Sequence, residues 1–345
     1  MQFGLFSNNR RPNEDWGIGW DRDIAEIVTA DAIGFTEAWV SEHEVPAELI
    51  LSKAAALTKR IKLGPAVRPL GYYHPVQIVL DANGCDHITH GRYMLGVGSG
   101  FLPVKYDWRG RDMKDAQGML VEAIELIEKI WEDGEPFDHH GRFWQGKNIK
   151  LPIKPVQLPH PPIALSVANS PATAALAGRH GFYMLCPDFT KASKLRMLNE
   201  ARLEAAEKAG RKARRSDFRP CRVVYVGETD KAARDDLRAS YEEIIRWEIQ
   251  HTPHHQQERI PDGGSFDDIT FDYLVDTAEN LFVGSPDTVR QMIEHFYDEV
   301  GGFGLLMFHC GRPYATPEKF QNSMRLFARE VLPKLEGIQA DAVAA

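Results

Sequence analysis

Cysteine is scarce in this 345-residue chain: Cys85, Cys186, Cys221 and Cys310 lie far apart and form no CxxC pair. That excludes a disulfide scaffold and a zinc module and fits a reducing cytoplasm. Long apolar runs are also missing. No stretch nears the roughly 18 residues of a membrane span, and Met1–Phe6 has no basic region ahead of an apolar run, so no secretory signal is expected. Positive charge is in deficit, with 41 Lys and Arg against 49 Asp and Glu and a net charge of −8, which argues against nucleic acid as a partner. The HxH, HExxH and GxSxG signatures of metal and serine hydrolases are absent. His139-His140 and His254-His255 are adjacent pairs, poor geometry for one shared metal.

What is present is a rhythm of short apolar runs and amphipathic helical patterns. Strands are expected at 2–6, 37–40, 61–67, 93–97, 163–167, 182–186, 222–226 and 303–308. Helices are expected at 21–33, 49–57, 76–88, 114–132, 171–180, 190–209, 230–249 and 316–332. Strict alternation implies parallel strands with right-handed crossovers. Eight such units predict an α/β fold, a closed (β/α)8 TIM barrel with insertions, better than an open sheet. Dividing the length by a typical domain of about 150 residues suggests two domains. No composition break marks a boundary, however, so 1–338 is expected to be one domain and 339–345 a frayed tail. Three stretches break the rhythm. The Pro-rich 135–161 reads as an excursion, and the polar 251–277, ahead of the last strand, as a lid or a disordered segment. An extra helix is expected at 286–300.

The chemical signals cluster after the strands, where barrels carry their active sites. The second strand ends in Ser41-Glu42-His43-Glu44. A histidine between two acids can have its charge and tautomer tuned by them, or it can be a surface residue in a charged loop. Gly64 and Gly98-Ser99-Gly100, at the ends of the third and fourth strands, leave room for a planar ring or serve turns. Gly96-Val97-Gly98-Ser99-Gly100 is a weak dinucleotide fingerprint, because no helix opens after it. Asn169-Ser170-Pro171-Ala172-Thr173 can cap a helix, or offer hydroxyls beside a helix N-terminus to a phosphate. Trp108 either lines a pocket or covers the barrel.

In order and spacing these residues resemble the bacterial luciferase-like flavin-dependent monooxygenase family. The resemblance runs through Phe3-Gly4-Leu5-Phe6, Gly34-Phe35, Trp39-Val40-Ser41-Glu42-His43, His74-Pro75, Gly91 to Gly98, Asn169-Ser170-Pro171, Val283 to Val289 and Phe327 to Pro333. It implies a two-component enzyme. Reduced FMN, supplied by a separate flavin reductase as a transient partner, reacts with O2 through a flavin hydroperoxide to oxygenate a small apolar substrate such as a terpene, aldehyde or ketone. His43 takes the catalytic position. Ala66 and Val67 correspond to a non-proline cis peptide under the flavin ring. Gly98, Asn169, Ser170, Thr173, Met184 and Cys186 fall at cofactor positions, and Phe6, Glu44 and Trp108 border the substrate pocket. A cytoplasmic homodimer and no metal are implied. Two departures stand out: Glu44 replaces a second histidine, and Ser99 and Gln117 replace basic phosphate contacts, which would leave Arg179, backbone amides or hydroxyls to hold the phosphate. The same barrel also serves deazaflavin-dependent hydride transfer and non-catalytic flavin-binding subunits, so both stand as alternatives.

Overall fold

The computed structural model describes residues 1–132 and 134–338, and the expected tail at 339–345 lies outside them. In chain order the first part contains β1 (Gln2–Ser7), α1 (Trp16–Ile33), β2 (Glu37–Val40), α2 (Ala47–Leu57), β3 (Lys62–Pro65), β4 (Arg68–Pro69), α3 (Pro75–Ile88) and β5 (Leu95–Gly98). Then come α4 (Pro103–Asp107), α5 (Ala116–Trp131), β6 (Phe137–His140), β7 (Gln145–Ile149), β8 (Ile163–Ser166), α6 (Pro171–His180), β9 (Tyr183–Cys186) and α7 (Ala192–Lys208). The chain closes with β10 (Phe218–Val226), α8 (Asp230–His251), α9 (Pro253–Gln256), α10 (Phe271–Asp276), β11 (Leu281–Gly284), α11 (Pro286–Glu299), β12 (Leu305–Cys310), α12 (Pro317–Glu330) and α13 (Leu332–Leu335). Contacts group these elements into two compact units, one of residues 39–166 and one of residues 1–38 with 167–345.

In the unit of 1–38 and 167–345, the ladder is parallel throughout. β1 pairs with β12, so that Phe6 lies opposite His309, and β12 pairs with β10 at Cys221↔Met307. The nine residues of β10 serve several partners, because Phe218–Pro220 pair with β9 and Val223–Val226 with β11. Phe3, Phe35, Phe308 and Phe327 form an edge-to-face cluster behind β1 and β12, with Phe308 and Phe327 centred 4.7 Å apart. Helices enter this unit by a repeated device. Ser170, Ser285 and Thr316 each cap a helix through the side-chain oxygen and are each followed by Pro. α6 and α7 touch so closely that a Cβ on Gly178 would lie 2.1 Å from the Arg202 carbonyl oxygen.

In the unit of 39–166, β4 and β8 flank β5, all parallel, with Val97 opposite both Arg68 and Leu165. Trp39 is fully buried. Its ring fills the space left by two glycines: a Cβ would fall 2.7 Å from it at Gly64 and 3.1 Å at Gly96. Space there serves the core of the unit rather than a ligand. The Pro-rich excursion contains the antiparallel hairpin β6–β7.

All eight expected strands are present, with three differences. The third is split into β3 and β4 by Ala66 and Val67. β10 begins four residues early, because Arg219 and Pro220 read as loop residues yet lie buried in the ladder. β11 was not expected, since four residues between Asn280 and Ser285 are too short for a periodicity to show. Helix α1 starts at Trp16 rather than Asp21, because the Asp15 carboxylate accepts from the Gly17 and Ile18 amides. The 251–277 segment is built of short helical turns. Among the described residues no helix is long and apolar enough to cross a membrane.

Two glycines give opposite stability predictions. Gly178→Ala should destabilise the protein by about 1–3 kcal/mol through overpacking between α6 and α7. Gly84→Ala, in α3 with nothing within 4 Å of the new methyl group, should gain up to about 1 kcal/mol of helix propensity. Urea titration of both variants measures the contrast.

Candidate active site

In the unit of 39–166 the site is built on the end of β2. The Ala66 amide donates to the Val40 carbonyl at 2.7 Å, and the Ser41 hydroxyl donates to the Ala66 carbonyl at 3.2 Å. Ala66 is thereby tied from both sides to the strand end that leads into His43. The Ala66–Val67 peptide is cis, at the position the resemblance implies. Along residues 63–70 only Ala66 and Val67 are partly accessible, while both flanks are buried. His43 is half-buried in the loop between β2 and α2. Gly98 offers no vacancy of its own, because a Cβ there would meet Val67 at 2.7 Å.

The next residue, Arg68, is buried, and both terminal nitrogens of its guanidinium are hydrogen-bonded while its Nε is not. It bonds Glu48 at 2.5 Å and Asp81 at 3.1 Å, and its Nε lies 3.5 Å from Glu42. It also covers the Tyr73 ring at 4.2 Å. Tyr93 donates to the other Glu48 oxygen at 3.0 Å, and Tyr73 donates to Glu42 at 2.7 Å. Glu42 is the carboxylate left over. One of its oxygens is buried without a hydrogen-bond partner among the described residues, and burial, only partly offset by Arg68, pushes its carboxyl up to about 7. This cluster was not singled out from the sequence, since Arg68-Pro69 looks like the end of a strand. Glu44 is exposed, 3.8 Å from Lys105. Trp108 is 68% exposed at the end of α4. His74, part of the resemblance, caps α3 through Nδ1 and contacts the Gln145 carbonyl through Nε2.

In the other unit, Ser170 caps α6 by accepting from the Thr173 amide at 3.2 Å and keeps its own hydroxyl hydrogen to donate. Asn169 is exposed, and Ser170 and Thr173 are half-buried. A helix start with hydroxyls on an accessible face suits a phosphate. Arg179 is not part of it: it sits in the last turn of the same helix, nine residues or about 13 Å along the axis from Ser170. Met184 and Cys186 are buried in β9, and burial pushes the Cys186 thiol up, so it is an inert hydrophobe. Phe6, half-buried at the end of β1, lies 5.4 Å from the His309 ring. His309 and its neighbour Asp188 were missed by the sequence reading. The apolar run around His309 reads as strand core, and nothing in the spacing pairs it with a residue 121 positions away.

The fold class is α/β, a (β/α)8 TIM barrel with insertions, including a long segment before the last strand. Residues 1–302 match the luciferase-like monooxygenase family model, and the chain belongs to that family. It is 30% identical to 3,6-diketocamphane 1,6-monooxygenase of Pseudomonas putida over 97% of this chain and 98% of that one. It is 29% identical to 4-hydroxyprotoasukamycin monooxygenase of Streptomyces nodosus subsp. asukaensis, covering 98% and 93%. The solved structure of the oxygenating constituent of the P. putida 3,6-diketocamphane monooxygenase, a type II Baeyer-Villiger monooxygenase in complex with FMN, superposes with a TM-score of 0.85. It is 29% identical, with 97% and 98% of the two chains covered. Other relatives are named F420-dependent enzymes. The chain is therefore an oxidoreductase of the monooxygenase class.

The Arg68 cluster makes two predictions. Arg68→Met leaves Glu42 and Glu48 as buried carboxylates without their cation and should cost about 3–5 kcal/mol. The raised Glu42 carboxyl favours the folded state below the ordinary carboxyl range, and that stability is lost as pH rises from about 4.5 to about 7. Glu42→Gln should flatten this fall. Denaturant midpoints recorded at half-unit pH steps distinguish the variant from the parent, and an unchanged slope would contradict the assignment.

Proposed function

We propose that this chain is the oxygenase component of a two-component monooxygenase. It takes reduced FMN from a separate flavin reductase and uses O2 to oxygenate a small, largely apolar compound (a terpene, aldehyde or ketone). In this reading residues 1–338 form one barrel domain that works in the cytoplasm as a homodimer. The observation that carries it is that Ala66 and Val67, partly accessible between buried flanks, are held to the strand end that leads to His43. Likeness to an FMN-bound oxygenating constituent supports the same cofactor.

The residues present fit the flavin chemically. Ala66 and Val67 are the partly accessible residues along 63–70 against which a ring can lie, with Gly98 packed behind Val67. Ser170 and Thr173, with Asn169 beside them, offer hydroxyl and amide donors to a phosphate at a helix start. Met184 and Cys186 supply apolar packing from β9. When bound, reduced FMN supplies the electrons that activate O2. His43 holds or moves a proton at the activated oxygen, and Phe6, Glu44 and Trp108 border the substrate. The 251–277 segment keeps water out, which favours oxygen transfer over release of peroxide.

Anaerobic titration with reduced FMN, followed by rapid mixing with oxygenated buffer, tests the reading. Tight binding and a slowly decaying absorbance distinct from oxidised flavin are expected. His43→Ala should keep the flavin and lose about 100-fold or more in coupled oxygenation. Ser170→Ala should weaken flavin binding by about tenfold. Tight deazaflavin binding with no O2 uptake on reduced FMN would replace this reading with hydride transfer.

A further inference from the structure

Asp188, two residues beyond β9, is the centre of a buried polar cluster. His309 Nδ1 lies 3.2 Å from its carboxylate, and Arg259, from the 251–277 segment, donates to the same oxygen. Arg222 of β10 and Asn280 donate to the Asp188 carbonyl. Arg259 also bonds Gln256, and Glu248 of α8 receives Gln256 and Arg312. Burial alone would raise the Asp188 carboxyl, but His309 and Arg259 outweigh it and hold the group well below the usual carboxylate range. Four buried nitrogens of this cluster lack a hydrogen-bond partner among the described residues: the Nε of Arg222, Arg259 and Arg312, whose guanidinium groups bond through their other nitrogens, and Nε2 of His309, the one that leaves a whole ring edge unused. His309 is 3% exposed.

A buried nitrogen left unpaired has lost its water without regaining a hydrogen bond. A carboxylate behind Nδ1 fixes the hydrogen of the neutral ring on that side and turns the Nε2 lone pair forward, as in an Asp–His pair of a hydrolase. The Tyr314 hydroxyl, 3.1 Å from Nδ1, steadies the ring from the same side. His309 stands at the end of β12, opposite Phe6 at the end of β1, and carboxyl ends of barrel strands are where substrates bind. We infer that His309 is the polar contact of the substrate pocket, its Nε2 accepting a hydrogen bond from a hydroxyl group of the substrate, with Asp188 as its positioning residue. The inference rests on the proposed function only in taking this strand end as the substrate side. It narrows the substrate class to compounds that carry a hydroxyl group on an apolar skeleton. Arg259 makes the 251–277 segment part of the same contact.

The test uses the full chain labelled with 15N-histidine at about pH 8, where an ordinary imidazole is neutral. The His309 signals are assigned by their loss in His309→Phe, or in His309→Gln if the phenylalanine variant does not fold. Cyclohexanol, cyclohexanone and methylcyclohexane are added up to their solubility limits. Cyclohexanol should move the Nε2 signal in the direction of hydrogen-bond acceptance, and the other two should leave it in place. Asp188→Asn should mix the two tautomers in the free protein, a change that a purely structural carboxylate would not produce. His309→Phe should lower the affinity for cyclohexanol relative to methylcyclohexane by about threefold to tenfold. A signal that no probe moves, that all three move alike, or that only cyclohexanone moves would overturn the assignment. Reduced-FMN binding by the parent protein is the separate control: its absence overturns the flavin reading and leaves the His309 result standing.

Discussion

Arg68 is the constraint on which the rest of one unit depends. A guanidinium in a dry interior must be matched by acceptors around its whole rim, and here Glu48, Asp81 and Glu42 come from α2, α3 and the end of β2. Three elements are thereby set against the residue that follows Ala66 and Val67. The Ser41 and Val40 bonds to Ala66 complete the hold from the other side. Ala66 and Val67, partly accessible, are thereby held from both sides. Glu42, placed within the same cluster but without a full share of the cation, has a carboxyl close to neutrality for the same reason.

The two units handle charge differently. Around Arg68 one cation is divided among three carboxylates. Around Asp188 the ratio is inverted, with one carboxylate answering His309 and Arg259 and its backbone carbonyl answering Arg222. In both, the polar group next to the expected chemistry is held by partners that have no freedom to move, which is the preorganisation that site geometry needs.

Most of the architecture was legible because alternation of short apolar runs with helical stripes survives any detail of packing. Helix α6 was readable to the residue, since Ser170, Pro171 and Gly181 mark both of its ends. The elements that escaped are those whose formation depends on partners elsewhere. β11 exists because β10 is long enough to receive it, and the hairpin β6–β7 is hidden among prolines. Of the candidate site, the Ala66–Val67 cis peptide was reached through the family resemblance rather than from any local pattern. Gly64 misled, because an absent side chain looks the same whether a ligand or Trp39 fills the space. Asp188 and His309 could not be paired from the sequence, since a buried histidine–carboxylate contact between distant strand ends leaves no spacing to read.

The bond from Arg259 to Asp188 fastens the near part of the long insertion before the last strand, and buried Ile269, Phe271, Leu274 and Val275 fasten its far end. Residues up to Ile260 are held by a buried anchor, so change there disturbs the barrel. Residues 262–265 and 267–268 are largely exposed and carry almost no packing burden, so they can drift in sequence and length at little thermodynamic cost. The exposed stretch between the two fastenings can therefore vary while both fastenings stay the same.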